Sequence, residues 1–299
     1  MHEMELTGLD GSNLLGYLAA LGTLRVLTLA EPGAEVRMRW EDNRCWRPIL
    51  CHSRIGTGEE LIGALGERVC GAPSIDPAWE IGKDLTLTCV EFRKHLDEQA
   101  SRSQSTQRNA ADFLVAFGSD VFGKKEQMSD TGFRTMSGAG HQHFLGFMRE
   151  LAVGTEAEHI KCAVLEQWAY ADGRPSLRWD PADYRPHALR AEDPSDDPIR
   201  TMRGANRLAV EALPLFPTAP ERGRLRTVGF ADRERETELT WPIWTDDLGV
   251  NAVRSLLASE EVQDADRATM IRRGVGQVFR ARRFTDGKYR NFSPAKAML

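Results

Sequence analysis

The chain has 299 residues, of which 41% are hydrophobic and 28% are charged, a composition typical of globular proteins and not of disordered or fibrous ones. No stretch approaches the roughly 18 consecutive apolar residues of a membrane-spanning helix, and the first residues lack the cationic start of a signal peptide. The five cysteines form no C-x-x-C pair, which argues against a disulfide framework and a zinc site. We therefore expect a cytoplasmic protein with no membrane partner, no cofactor and no bound metal.

The charge of the chain is unevenly distributed. The formal net charge is −5, yet the segment from Ile271 onward contains eight Lys or Arg residues and one Asp, a local charge of +7. The preceding 270 residues therefore carry −12. Such asymmetry is typical of a local polyanion-binding site, although a solvated basic face that binds nothing gives the same pattern.

The N-terminal half is predicted to alternate helices and strands. Capping residues precede leucines at helical spacing, which predicts a buried helix from Leu14 onward. Gly16 and Gly22 lie inside this helix, and we expect that they let another backbone approach closely. Strict alternation over 36–40 predicts a strand that forms a hairpin with residues 46–50.

The middle of the chain combines predicted helices with basic and Gly-Ser loops. A helix is predicted over 109–122, and the loop after it contains Lys124 and Lys125. From Thr131 a predicted strand leads into a Gly-Ser turn, which precedes a helix that begins near Phe144. Because backbone amides at a helix start bind anions, this turn is a candidate phosphate contact.

The acidic, proline-punctuated stretch from Arg190 to Arg200 is the best candidate for a boundary or an exposed linker. We expect an α+β fold, with mixed helices and short antiparallel sheets in two lobes that comprise residues 1–192 and 199–299. Beyond the boundary the patterns predict a helix, two strands and a helix, at residues 206–213, 225–230, 238–244 and 250–257.

The basic end of the chain predicts a β-hairpin, because two strand-like runs flank Asp286-Gly287, a typical two-residue turn. Alternation places Arg280 and Arg282 on one face, where guanidinium groups match phosphate oxygens. Tyr289 with Phe284 or Phe292 offers rings on which bases stack. The alternative is a basic edge hairpin whose charges only discourage aggregation.

A second candidate anion site lies at the entrance of the helix after the boundary. Arg203, Asn206 and Arg207 cluster there, and a phosphate can dock at such a helix start. The alternative is a capped helix with solvent-facing arginines.

Few residues suggest catalysis. His141 and His143 are two residues apart and would point roughly 200° apart on a helix, which argues against metal binding. The P-loop, nucleophile-elbow and HExxH signatures are absent from the sequence, and no carboxylate pair has an apolar surround. We predict a non-catalytic protein. A metal-dependent nuclease that uses either histidine, and a purely structural adaptor of a nucleoprotein assembly, are the alternatives.

Three stretches of the chain stand out together: LDGSNLLGYLAALG at 9–22, RGANRLAVEALPLFP at 203–217 and YRNFSPA at 289–295. With Met136-Ser137-Gly138 and His143-Phe144-Leu145, they resemble the large subunit of type I-G CRISPR effector complexes, formerly called type I-U. The similarity spans the chain. Subunits of this kind are commonly longer and often end in a helical bundle. The resemblance therefore leaves two interpretations, a compact form of the large subunit and a different accessory subunit.

The resemblance implies a non-catalytic subunit of an RNA-guided surveillance complex in antiviral defence. Such a subunit reads the protospacer-adjacent motif in target double-stranded DNA, supports unwinding and helps a separate helicase-nuclease dock. Its other partner is the multisubunit complex that contains the CRISPR RNA, in which the guide pairs with the target while protein reads the short duplex motif. The implied nucleic-acid-binding residues are Lys124, Lys125, Arg134, Ser137, His141, Arg203, Asn206, Arg207, Arg280, Arg282, Lys288 and Arg290.

Overall fold

The structure is a computed structural model and describes residues 1–102, 108–121, 126–136, 142–183, 200–221, 223–233, 236–286 and 289–299. Helices and antiparallel strands are mixed along the chain, which confirms the predicted α+β class. The α-helices of these residues are α1 Leu14–Ala30, α2 Gly58–Val69, α3 Cys89–Arg102, α4 Asn109–Phe117, α5 Phe144–Gly154, α6 Ala157–Val164, α7 Arg203–Ala212, α8 Val250–Leu257, α9 Glu260–Asp264 and α10 Arg267–Arg272. The strands are β1 His2–Glu5, β2 Val36–Asp42, β3 Trp46–His52, β4 Gly118–Ser119, β5 Ser129–Asp130, β6 Thr218–Glu221, β7 Arg224–Thr227, β8 Phe230–Arg233, β9 Glu236–Trp244, β10 Val275–Asp286, β11 Tyr289–Phe292 and β12 Lys296–Ala297.

Helix α1 lies in the centre of the core. Asn13 caps its start by accepting a hydrogen bond from the backbone amide of Gly16 at 3.2 Å. Residues from Leu14 to Leu27 are buried around the whole helix, as expected for a helix enclosed by other elements. A methyl group on Gly22 would overlap the carbonyl oxygen of Leu208 in α7, which confirms that this glycine admits a second backbone. Among the described helices, none has both the length and the apolar composition needed to cross a bilayer.

Two antiparallel sheets flank this helix. The first has the order β1-β3-β2 and contains the predicted hairpin of β2 and β3. The second has the order β11-β10-β9-β8, and β12 also pairs with β10. Trp40 of the first sheet stacks on Tyr17 of α1 at 5.6 Å between ring centroids, and Trp241 of the second sheet lies 5.9 Å from the same ring.

The two predicted lobes share one hydrophobic core. Helix α1, from the predicted lobe 1–192, packs along α7, from 199–299, and their buried side chains belong to a single cluster. These contacts cross the predicted boundary, and the division into two lobes stays a prediction.

Three predicted elements are wrong in part. The helix predicted over 109–122 ends at Phe117, because the next two residues pair with β5 as strand β4. The residues after Thr131 form a turn, not a strand, with the amide of Arg134 donating to the carbonyl of Thr131 at 3.2 Å. The strand predicted over 225–230 is divided between β7 and β8, because Gly229 has a φ of 82° and turns the chain between them.

Candidate nucleic-acid interface

The basic hairpin consists of β10 and β11 and has two different faces. The strands pair in antiparallel register from Arg283 opposite Phe292 to Asp286 opposite Tyr289, so the predicted hairpin is confirmed. Its turn residues 287 and 288, which include the predicted contact Lys288, lie outside the described residues. Side chains alternate between the faces along each strand. Arg280 and Arg282 therefore share one face, as predicted, and Arg283 and Arg290 share the other.

On the first face only one of the two predicted arginines presents its charge to solvent. The Arg280 guanidinium donates to Thr240 Oγ1 at 3.1 Å and to the carbonyl of Gln263 at 2.6 Å, and burial lowers its pKa. The Arg282 side chain is 48% exposed, pairs with Glu236 at 2.6 Å and lies over the Phe284 ring. Two guanidinium nitrogens of Arg280 thus already donate to protein acceptors, and its predicted contact with nucleic acid stays a prediction.

The aromatic prediction is corrected in part. Phe292 is buried against Phe230 at 6.2 Å between centroids, so its ring is not free to stack on a base. The side chain of Tyr289 lies outside the described residues.

The second face of the hairpin forms one side of a groove of about 700 Å³. Strand β7 forms the opposite side, and Phe230 and Gly132 lie between them. Four arginines line it, and we call it the arginine groove after them: Arg224, Arg226, Arg283 and Arg290.

The carboxylates of the arginine groove are already paired with arginines. Glu221 lies 2.6 Å from Arg226, and Asp232 lies 3.5 Å from Arg224. Asp130 lies 2.6 Å from Arg134 and is further from Arg290, at 3.9 Å. The wall formed by β7 is therefore close to neutral, and the excess positive charge lies at the hairpin.

Arg283 is the most recessed cation of the groove. Its Nη1 donates to the carbonyl of Gly132 at 2.7 Å, and its guanidinium lies 5.8 Å from the centre of the Phe230 ring. It forms no ion pair with any described carboxylate. Burial, followed by the like charge of Arg290, lowers the pKa of Arg283 to about 10, so the guanidinium stays charged near neutral pH.

Comparison of the chain with protein-family models, curated proteins and solved structures finds no match.

Arg134 has a structural environment that differs from the prediction. Its side chain is buried, with Nη2 donating to Asp84 at 2.9 Å and Nη1 donating to Asp130 at 2.6 Å. Its carbonyl oxygen accepts a hydrogen bond from Arg290 at 3.2 Å. Arg134 thus contacts the hairpin through its carbonyl oxygen, and its buried guanidinium binds carboxylates of the protein.

The predicted anion site at the start of α7 is occupied by the protein itself. Asp172 accepts a hydrogen bond from the backbone amide of Arg203 at 2.8 Å, and the Arg203 side chain donates to the carbonyl of Arg174 at 3.0 Å. The prediction of an anion at a helix start is chemically sound, but an internal carboxylate takes that place.

Asn206 and Arg207 are wholly buried, which corrects their predicted role. Asn206 donates to Thr201 Oγ1 at 3.0 Å and accepts from the amide of Leu177 at 2.9 Å. Arg207 donates to the carbonyl of Val69 at 2.8 Å and pairs with Glu211 at 2.9 Å. No surface of either side chain is left for a nucleic acid.

The remaining predicted contacts Lys124, Lys125, Ser137 and His141 lie outside the described residues. His143 immediately precedes α5, and its Nδ1 is buried without a hydrogen-bond partner among the described residues.

Two groups of described residues bring three potential metal ligands together: Glu3, Cys51 and Asp247, and Glu158, Cys162 and Glu166. Arg39 already binds both carboxylates of the first group, at 2.8 and 3.1 Å. Lys161 lies 3.0 Å from each carboxylate of the second. Burial raises the pKa of both cysteine thiols to about 11, with neighbouring carboxylates adding to the shift. In both groups a basic side chain of the protein therefore already contacts the carboxylates.

The sequence prediction missed Arg224, Arg226 and Arg283. The alternation that placed Arg282 on one face already placed Arg283 on the other, and the Arg-x-Arg spacing in β7 indicates two arginines on one side of a strand. No local pattern indicates that these two strands face each other across a groove.

Proposed function

We propose that this protein is a non-catalytic, nucleic-acid-binding subunit of an RNA-guided CRISPR surveillance complex. In this role it recognises a short motif in target duplex DNA, supports unwinding of that duplex and helps to recruit a separate helicase-nuclease. The observation that carries the proposal is the hairpin of β10 and β11, which directs Arg282 to solvent on one face and Arg283 and Arg290 into a groove on the other.

The electrostatics of the hairpin support binding of a polyanion. Arg290 is 39% exposed and lies 3.9 Å from its nearest paired carboxylate, a distance at which its charge is only partly compensated. Arg283 lacks a described carboxylate partner altogether. Guanidinium groups in this state are well suited to phosphate, which they bind through two parallel hydrogen bonds.

The CRISPR assignment, the duplex motif and the partner proteins come from the sequence resemblance. The cationic contacts expected of such a subunit are supported by a groove that four arginines line.

We expect the double variant Arg282→Ala/Arg290→Ala to weaken binding of target duplex DNA by the assembled complex at least about tenfold, because charged hydrogen bonds to phosphate are lost. The slope of the logarithm of the association constant against the logarithm of the salt concentration should decrease in magnitude by about two, one for each lost phosphate contact. Fluorescence anisotropy with labelled DNA at several salt concentrations measures both quantities.

The matched control is Arg37→Ala. Arg37 lies in β2 of the other sheet, is half-exposed and pairs with Glu35. This substitution should leave the affinity within about twofold, as expected for a surface pair away from the interface. An unchanged affinity in the double variant would refute the hairpin as the interface. Complete absence of nucleic-acid binding by the chain and its complex would favour a structural adaptor, and metal-dependent DNA cleavage would refute the non-catalytic assignment.

A further inference from the structure

The position of Arg283 restricts what can reach it. Its guanidinium is held against the carbonyl of Gly132 and over the Phe230 ring, between the two walls of the arginine groove. A phosphate must enter the groove to contact it. A surface that touches only the rim would reach Arg290 and not Arg283.

The size of the arginine groove favours one strand over two. Its 700 Å³ lies within the range of about 300–1,000 Å³ of pockets that enclose small ligands. A duplex is stiff, with a persistence length of about 150 base pairs, so its backbone does not bend into a recess of this size. A single strand is flexible and can follow a positively charged groove with its backbone.

The distribution of charge in the groove also fits a single phosphate group. Arg283 and Arg290 carry like charges on the same face of the hairpin, and Arg290 contributes to lowering the pKa of Arg283. An anion between them relieves this repulsion and receives hydrogen bonds from both. On the opposite wall Arg224 and Arg226 are paired with Asp232 and Glu221, so their charges are partly compensated.

We infer that the arginine groove binds one phosphodiester of a single-stranded nucleic acid, with the phosphate held between Arg283 and Arg290. This inference rests on the proposed function and adds the kind of strand that the groove accepts. In a complex that opens duplex DNA, a groove of this kind retains one separated strand while the exposed Arg282 face contacts the remaining duplex. Both DNA and RNA strands carry the required phosphodiester.

The test compares binding of the full chain to three labelled probes of the same length: single-stranded DNA, single-stranded RNA and a stable DNA hairpin duplex. We expect a single-stranded probe to bind at least about tenfold more tightly than the duplex, since only a single strand reaches both arginines. Whichever single strand binds more tightly identifies the natural source of the phosphodiester. Equal or tighter binding of the duplex would overturn the inference.

Three arginines of the hairpin supply the matched variants. Arg282 and Arg283 are neighbours on opposite faces of β10, and Arg290 of β11 shares the face of Arg283. Arg283→Lys retains a charge but loses the fork of donors, and Arg290→Gln removes a charge at a partly exposed site. Each should weaken single-strand binding about tenfold. Arg283→Lys should also leave duplex binding within about twofold, because a duplex at the rim reaches Arg290 and not Arg283. Arg282→Gln should leave single-strand binding within about twofold and weaken duplex binding.

Two further measurements distinguish a variant that fails to fold from one that folds but does not bind. Thermal unfolding of each variant identifies loss of structure, and Arg290→Gln keeps the test decisive if Arg283→Lys does not fold. Single-strand binding that survives in folded Arg290→Gln would overturn the phosphate assignment while leaving the proposed function intact. Failure of the wild-type chain and its complex to bind any probe would overturn both.

Discussion

Replacement of Arg207 by Ala should lower the free energy of unfolding by about 3 kcal/mol, the lower end of the range for breaking a buried ion pair, because Arg25 still pairs with Glu211 at 3.2 Å. Arg207 is wholly buried, pairs with Glu211 at 2.9 Å and donates to the carbonyl of Val69 at 2.8 Å. Its guanidinium also lies 5.0 Å from the centre of the Trp79 ring. The substitution leaves a cavity beside Trp79 and an unpaired carbonyl. Urea denaturation followed by tryptophan fluorescence measures the change.

Arg203→Ala is the matched control, because Arg203 lies one turn earlier on α7 and its side chain donates a hydrogen bond to the backbone carbonyl of Arg174. It should lower the free energy of unfolding by less than about 1 kcal/mol. The sequence suggested that both arginines contact nucleic acid. Weaker nucleic-acid binding by Arg207→Ala at unchanged stability would contradict the structural role.

The sequence predicted elements whose signals are local. The leucines of α1 and its capping Asn13 identify a buried helix, and the Asp286-Gly287 pair identifies the hairpin of β10 and β11. The helix predicted over 250–257 matches α8 at both ends. In each case the residues that determine the element lie within it or next to it.

The arginines of α7 show why local patterns fail for the site. A charged residue at a helix start usually faces solvent. Arg207 is buried because Glu211 lies one turn away and because Val69, 138 positions earlier in the chain, supplies a carbonyl acceptor. Asp172 likewise reaches the start of α7 from a separate segment. These partners are set by the tertiary fold, which the spacing of charges does not encode.

The arginine groove likewise depends on contacts between distant parts of the chain. Alternation within β10 separates Arg282 from Arg283, but the groove exists only because β7 lies opposite the hairpin. The pairing of Arg226 with Glu221 and of Arg224 with Asp232 decides which arginines are neutralised. Charge counting along the chain identified the basic segment, and the fold determines which of its charges remain uncompensated.

The second large effect is expected at the crossing of α1 and α7. Gly22→Ala should lower the free energy of unfolding by about 3 kcal/mol, the upper part of the usual range for overpacking a core. The added methyl group would overlap the carbonyl oxygen of Leu208, and this backbone oxygen cannot move aside as a flexible side chain can. The two helices must separate, which opens contacts along the whole crossing. Thermal and urea unfolding measure the loss.

Gly63→Ala provides the matched control, because Gly63 lies within α2, is exposed and has no atom within 4 Å of the added methyl group. This substitution should raise the free energy of unfolding by about 0.5–1 kcal/mol, since alanine restricts the unfolded chain and favours a helix. The opposite signs of the two changes separate close backbone approach from helix propensity. Equal stabilisation by both substitutions would show that α1 and α7 are further apart than the structure places them.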